Sequence, residues 1–282
     1  CDNITDKSVM YLEELICLIC WEGQITDKSL ERLHKLIRLE CINCMYITDE
    51  GIRCLVNLIS LSCDDCENIT DVGILCLSKL EKLTCSDCKN ITGICFENLL
   101  NLTVLDCTRC NINTGVFGFL SNLTSLDIDS CNNITNNDIK HMDKLTFLNC
   151  SENKNITDGI IKLFLDLTNL VCRNCINITN ESIRHLVYLS NLDCWGCNNI
   201  TNESISHLEY LTILNCGGCQ HITDEGIKYL VNLTRLSCVW SNNITDISII
   251  YLQKLTFLNC RKCVNITDAS IGQLGGLKRL LR

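Results

Sequence analysis

Cysteine pairs with the spacing of zinc ligands recur along the chain. They are Cys41/Cys44, Cys63/Cys66, Cys85/Cys88, Cys107/Cys110, Cys172/Cys175, Cys194/Cys197, Cys216/Cys219 and Cys260/Cys263. Two thiolates separated by two residues form half of a common tetrahedral zinc site. Eight such pairs at nearly equal intervals would be unusual for a metalloprotein, however, and they indicate a repeated structure. We therefore predict that the pairs are core residues, with no metal and no cofactor.

The repeat is 22 residues long, with two steps of 21, and each copy opens on an isoleucine. With that isoleucine as offset zero, apolar residues recur at offsets 5, 8, 11, 14, 16 and 19. In one copy they are Ile183, Leu186, Leu189, Leu192, Cys194 and Cys197. The three-residue spacing is typical of a helix face, whereas offsets 14 and 16 alternate as in a strand. Each copy therefore predicts a short strand, a bend and a short helix, with Thr179 and Asn180 capping that helix.

Two columns of the repeat hold all but four of the 25 cysteines. The first column, at offset 16, is Cys20, Cys41, Cys63, Cys85, Cys107, Cys150, Cys172, Cys194, Cys216, Cys238 and Cys260. The second, at offset 19, is Cys1, Cys44, Cys66, Cys88, Cys110, Cys131, Cys175, Cys197, Cys219 and Cys263. Cysteine acts there as a small hydrophobic residue whose S–H can donate to carbonyls of the bend. On neighbouring parallel strands these side chains lie about 4.8 Å apart and point the same way, which suits a ladder better than a disulfide bridge. We therefore predict free thiols, as in a cytoplasmic protein.

The phrase L-x-x-L-x-C-x-x-C-x-x-I resembles the leucine-rich repeat. The cysteine followed by Ile-Thr-Asp resembles the cysteine-containing class found in F-box substrate receptors of ubiquitin ligases, and the repeat length and the sequence of 243–248, N-I-T-D-I-S, resemble bacterial internalins. This resemblance implies an α/β fold: a right-handed, curved solenoid with a parallel concave sheet and short convex helices. We expect one domain over 1–282, of about 12 to 13 repeats, as an uncapped piece of a longer chain.

Composition excludes several function classes. The net charge of −9 disfavours a nucleic-acid partner. No apolar run reaches the length of a membrane span. Sequons such as Asn68, Asn90 and Asn199 follow from the preference of the bend for Asn before Ile-Thr, so they do not by themselves indicate secretion. No nucleophile, base and orienting group stand apart from the repeat, so we predict that the chain is not an enzyme.

Residues at offsets 13, 15, 17 and 18 are not dictated by the repeat and are expected on the concave face, where all three tryptophans fall. In the later repeats the candidate partner-binding residues are Trp195, Trp240, Arg173, Arg235, Phe257, Arg261 and Lys262. In the middle repeats they are Asp64, Asp65, Asp87, Asp106, Asp127 and Asp129. The two later tryptophans, two repeats apart, are expected about 10 Å from each other. The cations would favour an acidic or phosphorylated partner, and the aspartates could fix its direction.

Three functions remain open. The first is a scaffold that binds another protein or a peptide on its concave face, which by resemblance could select substrates for a ubiquitin ligase. The second is a secreted or surface-displayed recognition protein of internalin type. The third is a structural unit that associates with itself end to end. An irregular region is also predicted at 91–119, where Gly93 and Gly115 interrupt the Ile-Thr-Asp pattern.

Overall fold

The structure, a computed structural model, describes residues 4–282, so Cys1 of the second cysteine column lies outside the described residues. The chain forms two compact units, the first ending at Lys144 and the second spanning Leu145–Arg282. Both units repeat one pattern of strand, bend and short helix. The assignment of 1–282 to a single domain stays a prediction.

Unit 1 contains a parallel ladder of six three-residue strands, each paired with the next along the chain. The strands are β1 (Cys17–Ile19), β2 (Arg38–Glu40), β3 (Ser60–Ser62), β4 (Lys82–Thr84), β5 (Val104–Asp106) and β6 (Ser125–Asp127). The α-helices are α1 (Asp6–Val9), α2 (Asp27–Leu30), α3 (Asp49–Ile52), α4 (Asp71–Ile74) and α5 (Asn136–Ile139).

Unit 2 contains seven parallel strands that pair in chain order. They are β7 (Phe147–Asn149), β8 (Asn169–Val171), β9 (Asn191–Asp193), β10 (Ile213–Asn215), β11 (Arg235–Ser237), β12 (Phe257–Asn259) and β13 (Arg279–Leu281). Its helices are α6 (Asp158–Ile161), α7 (Asn180–Ile183), α8 (Asn202–Ile205), α9 (Asp224–Ile227), α10 (Asp246–Ile249) and α11 (Asp268–Ile271).

The predicted register is confirmed by the strand leucines. Leu192 of β9 pairs with Leu214 of β10, which pairs with Leu236 of β11. All three side chains are buried, together with the isoleucine that opens each of these repeats. The apolar columns therefore build the core between strands and helices, and the predicted leucine-rich-repeat solenoid is the observed fold. Among the described residues, no helix has the length and hydrophobicity needed to cross a bilayer.

Each helix is a single turn, and its caps connect neighbouring repeats. The Thr179 hydroxyl accepts a hydrogen bond from the Glu181 amide at 3.2 Å, as predicted for an N-cap. The prediction was wrong for Asn180, because its side-chain oxygen accepts from the Thr201 amide of the next repeat at 2.9 Å. Where the repeat has Asp instead, as at Asp158, the carboxylate accepts from both the amide and the hydroxyl of the next threonine. The second polar residue therefore joins repeats to each other.

The second cysteine column forms a ladder of S–H donors. In unit 2, the Sγ atom of Cys197 donates to the Cys172 carbonyl at 2.8 Å, and Cys219 donates to the Cys194 carbonyl at 3.0 Å. Burial raises the pKa of the Cys216 thiol, which keeps it protonated in the core. The 24 described cysteines are free thiols, and the described residues contain no cluster of three or more potential metal ligands.

The irregular region predicted at 91–119 contains 3₁₀-helices, Ile94–Asn98 and Val116–Phe119, in place of α-helices. Gly93 and Gly115 begin them with φ of 90° and 80°, a conformation that a residue with a Cβ adopts at a cost. The Asp71 carboxylate accepts from the amides of Thr92 and Gly93 at 2.9 and 3.0 Å, which anchors the altered turn to the preceding repeat.

Candidate protein-binding surface

The strand face of each unit carries the side chains at offsets 13, 15, 17 and 18, and the last of these, the bend position, has an unusual backbone. Its amide continues the ladder, as when Asn174 donates to the Trp195 carbonyl at 2.9 Å. Left-handed φ values recur there at Glu22, Asn43, Asp65, Asp87, Arg109, Ser130, Glu152, Asn174, Gly196, Gly218, Trp240 and Lys262. The recurrence of Asn, Asp and Gly at offset 18 is the sequence signal for this left-handed conformation, which was not predicted. Asn, Asp and Gly adopt the left-handed conformation more readily than other residues. Trp240 does not, so the conformation costs about 1 kcal/mol at this position.

A groove of about 530 Å³ lies on the strand face of unit 2. Its lining consists of Glu152, Arg173, Asn174, Trp195, Asn215, Ser237, Val239, Trp240 and Asn259. Three of the predicted partner-binding residues, Arg173, Trp195 and Trp240, therefore share one cavity. The volume is within the range of sites that hold a small ligand or a side chain of a partner.

Trp195 and Trp240, the tryptophan pair, are in closer contact than their spacing predicted. Their ring centroids lie 6.4 Å apart at an interplanar angle of 46°, instead of about 10 Å. Gly217, in the repeat between them, explains the difference. A Cβ on Gly217 would stand only 2.5 Å from Cδ1 and 2.8 Å from Nε1 of Trp195. The Trp195 ring thus lies across Gly217 towards Trp240, which is 53% exposed.

Asp193, which the sequence did not single out, organises one wall of the groove. Its Oδ2 atom accepts from Nε and Nη2 of Arg173 at 2.8 and 2.6 Å, and from the Asn215 side chain at 3.1 Å. Its Oδ1 atom accepts from the Trp195 amide at 3.3 Å. The charge of Arg173 is therefore compensated within the chain, and this arginine positions the wall instead of offering a free cation.

Four cations on the strand face of unit 2 form no ion pair with any carboxylate of the described residues. We call Arg235, Arg261, Lys262 and Arg279 the cation set. The guanidinium carbons of Arg235 and Arg279 lie 4.8 and 5.7 Å from the centroid of the Phe257 ring, at the beginning of the strands. Arg261 and Lys262 are exposed beyond the end of β12. The cations thus flank a central row of uncharged polar residues, Asn215, Ser237 and Asn259.

The predicted aspartates lie on the strand face of unit 1, where most of them are bonded within the chain. Asp64 accepts from the Ser86 amide at 2.8 Å, and Asp106 accepts from the Ser86 hydroxyl at 3.0 Å. Asp87 accepts from Nε of Arg109 at 2.9 Å. Burial raises the pKa of Asp64, whereas the Arg109 guanidinium lowers the pKa of Asp87.

The other predicted aspartates follow the same pattern to different degrees. Asp127 accepts from the Thr108 hydroxyl and from the Asp129 amide, each at 3.0 Å. The Asp129 side chain accepts from the Ser130 hydroxyl at 2.8 Å. Asp65 is exposed at the bend position. A partner-binding role for these six residues stays a prediction.

No family model and no curated protein matches the chain, but solved leucine-rich-repeat structures do. The internalin InlF of Listeria monocytogenes aligns over 98% of this chain and 88% of its own, with a TM-score of 0.67 and 21% identity. The functional domain of InlJ from the same bacterium includes a cysteine ladder. It aligns over 94% of this chain and 67% of its own, with a TM-score of 0.62 and 24% identity. A chain of the yeast Rad7–Elc1 complex aligns over 97% of this chain and 79% of its own, with a TM-score of 0.69 and 19% identity. The chain therefore has the leucine-rich-repeat fold.

Proposed function

We propose that the chain is a protein-interaction scaffold that binds its partner on the strand face of unit 2. The observation that carries this proposal is the tryptophan pair, two contacting rings beside a groove, one of them more than half exposed. Tryptophan and arginine dominate the binding energy of protein interfaces, and exposed aromatic surface on a rigid ladder loses little entropy when a partner docks. The complex of the structurally similar Rad7 with Elc1 supports a protein partner.

A finer role follows from the resemblance to F-box receptors: the scaffold would select substrates for a ubiquitin ligase in a reducing compartment. The buried free thiols support this location. The sequons have a structural explanation that needs no glycan, because Nδ2 of Asn199 donates to the Ile176 carbonyl at 2.8 Å. Asn68 and Asn243 make the same bond to the preceding repeat.

The internalin-type alternative is favoured by a different observation. InlF and InlJ share the fold, and InlJ has a cysteine ladder of its own. A cysteine ladder therefore does not by itself distinguish the two roles. Titration of free thiols in the denatured protein from its native source, together with its mass, distinguishes the two roles. Nearly complete thiol reactivity and an unmodified mass support the reducing compartment, and extensive disulfides or glycans overturn it.

The test of the scaffold is capture of a partner by the chain, compared with the double variant Trp195→Ala/Trp240→Ala and with Arg184→Glu. Arg184 follows α7 on the helix side, where it pairs with Glu181, so its reversal is the matched control for a change far from the groove. We expect the partner to be lost with the double variant and retained with Arg184→Glu. The opposite result would place the working surface on the helix side.

A further inference from the structure

The charge of the strand face changes sharply within unit 2. At the strand-face offsets between Ile213 and Leu281, the chain carries the four residues of the cation set and no carboxylate. The chain as a whole has a net charge of −9, so this region runs against the average composition. Uncompensated cations on a rigid surface attract an anionic partner over a Debye length of about 8 to 10 Å.

The cation set and the tryptophan pair belong to one continuous surface. Trp240 is the bend residue after β11, and its amide donates to the carbonyl of Arg261 at 3.1 Å. Lys262 occupies the same bend position in the next repeat, about 4.8 Å further along the ladder. An extended segment seated on the rings therefore meets a cation in the next repeat.

We propose that this surface binds an acidic peptide segment of the partner protein. One aromatic or aliphatic side chain of the segment packs on the tryptophan pair, and acidic side chains that continue from it along the ladder, towards β12 and β13, pair with the cation set. The uncharged row of Asn215, Ser237 and Asn259 lines the groove between the cations. The side-chain amides of Asn215 and Asn259 are bonded within the chain, and the Ser237 hydroxyl, which accepts from Nδ2 of Asn259 at 3.4 Å, keeps its own O–H to donate to the backbone of the segment. This proposal rests on the proposed function and names the chemistry of its partner.

Arg173 is excluded from this role by its contacts. Its Nε and Nη2 groups donate to Asp193, so the charge of this arginine is compensated within the chain. Arg235 and Arg279 contact the face of Phe257, a contact that leaves the outward edge of a guanidinium open to a carboxylate. Charge recognition is thereby assigned to the cation set, and ring packing to the tryptophan pair on either side of Gly217.

Gly217 is the positioning residue of the site. Because a Cβ there would overlap the Trp195 ring, any larger residue separates the two rings. The next repeat shows that the backbone itself accepts a larger residue, since Val239 occupies the same offset. The variant Gly217→Val therefore introduces a side chain that the next repeat already carries at this offset. It should separate the two rings of the tryptophan pair without a change in fold.

The experiment measures binding by fluorescence anisotropy with labelled peptides of equal length. The first peptide has Asp and Glu on both sides of one Phe, the second has Asn and Gln in their place, and the third has phosphoserine in place of some Glu. We expect the first to bind and the second to bind about 10-fold more weakly, because the charge pairs are lost. Tighter binding of the third supports a phosphorylated source of the same anionic chemistry. Equal binding of the first two peptides overturns the proposal.

Two variants separate the parts of the site, and circular dichroism verifies that each is folded. Arg261→Ala/Lys262→Ala should weaken binding of the acidic peptide and reduce its salt dependence. Gly217→Val should weaken binding about 10-fold and leave the salt dependence unchanged, since the ring platform contributes no charge. An effect of Gly217→Val on salt dependence alone contradicts its assigned role.

A single-stranded RNA of matched length serves as the competing partner class, because bases can stack on tryptophan. Tighter binding of the RNA than of the acidic peptide overturns the proposal. If the acidic peptide fails while capture of a protein partner still depends on the tryptophan pair, the acidic chemistry is wrong and the proposed function stands. If capture of a protein partner does not depend on the tryptophan pair, both the acidic chemistry and the proposed function are wrong.

Discussion

The strand face of unit 1 and the later part of the strand face of unit 2, from Ile213 to Leu281, use their charged side chains in opposite ways. In unit 1, Asp64 and Asp106 accept hydrogen bonds from Ser86, and Asp87 is paired with Arg109. In unit 2, the cation set has no carboxylate partner among the described residues, and Trp240 is exposed in a backbone conformation that disfavours it. Polar groups bonded within the chain stabilise the ladder, whereas unpaired groups on a rigid surface are available to a partner.

The largest effect that sharpens this contrast is expected for Trp240→Gly. Removal of the ring should cost about 2 kcal/mol or more in partner binding, roughly a 30-fold loss of affinity. The unfolding free energy should stay within about 1 kcal/mol of the parent value or rise, because glycine adopts the left-handed conformation freely. Titration calorimetry and urea unfolding measure the two quantities.

The matched control is Trp21→Ala. Trp21 is 57% exposed on the strand face of unit 1 and is not part of the tryptophan pair. Its removal should leave partner affinity unchanged. Equal losses for the two variants would show that exposed tryptophan in general, and not the groove of unit 2, carries the binding.

The periodicity of the sequence predicted the fold. It could not predict which side chains contact residues of a neighbouring repeat. The leucine and cysteine columns specify strand register because they must all face one core. Gly217 has no side chain and so gives no signal in the repeat pattern, yet it determines where the Trp195 ring lies. Asp193 was missed because its partners, Arg173 and Asn215, come from the two neighbouring repeats. Bonds between residues about 22 apart are not visible in the pattern of one repeat.

An intermediate effect, on stability alone, is expected in unit 1 for Asp106→Ala. The Asp106 carboxylate accepts from the Thr108 amide and the Ser86 hydroxyl, both at 3.0 Å, and both donors lose their acceptor in the variant. We expect a loss of about 1 to 2 kcal/mol in unfolding free energy, measured by urea denaturation. Asp65→Asn, at an exposed bend position, is the control and should change stability by less than about 0.5 kcal/mol. Weaker partner binding by Asp106→Ala without a loss of stability would mean that the aspartates of unit 1 are a contact surface after all.

The smallest effect concerns the carboxylates that join repeats on the helix side, and it shows most clearly as a change in how stability depends on pH in acid. Burial opposes ionisation of Asp246, but hydrogen bonds from Ser270 and from the hydroxyl and amide of Thr267 outweigh it and lower the pKa of Asp246. A carboxylate whose pKa is lower in the folded than in the unfolded state stabilises the fold at neutral pH. That contribution is lost as the pH falls below about 4, through the folded value.

Asp246→Asn tests this linkage with a residue that the chain already uses at the same offset. Asn180 accepts from the Thr201 amide at 2.9 Å and donates to its hydroxyl at 2.8 Å, so asparagine joins repeats without a charge. We expect the variant to lose less than about 1 kcal/mol at pH 7 and to show a shallower loss of stability in acid than the parent. Urea midpoints measured between neutral pH and about pH 3 give both slopes. The exposed Glu209→Gln is the control, and an equal flattening by that variant would assign the acid sensitivity to overall charge instead of to the bond between repeats.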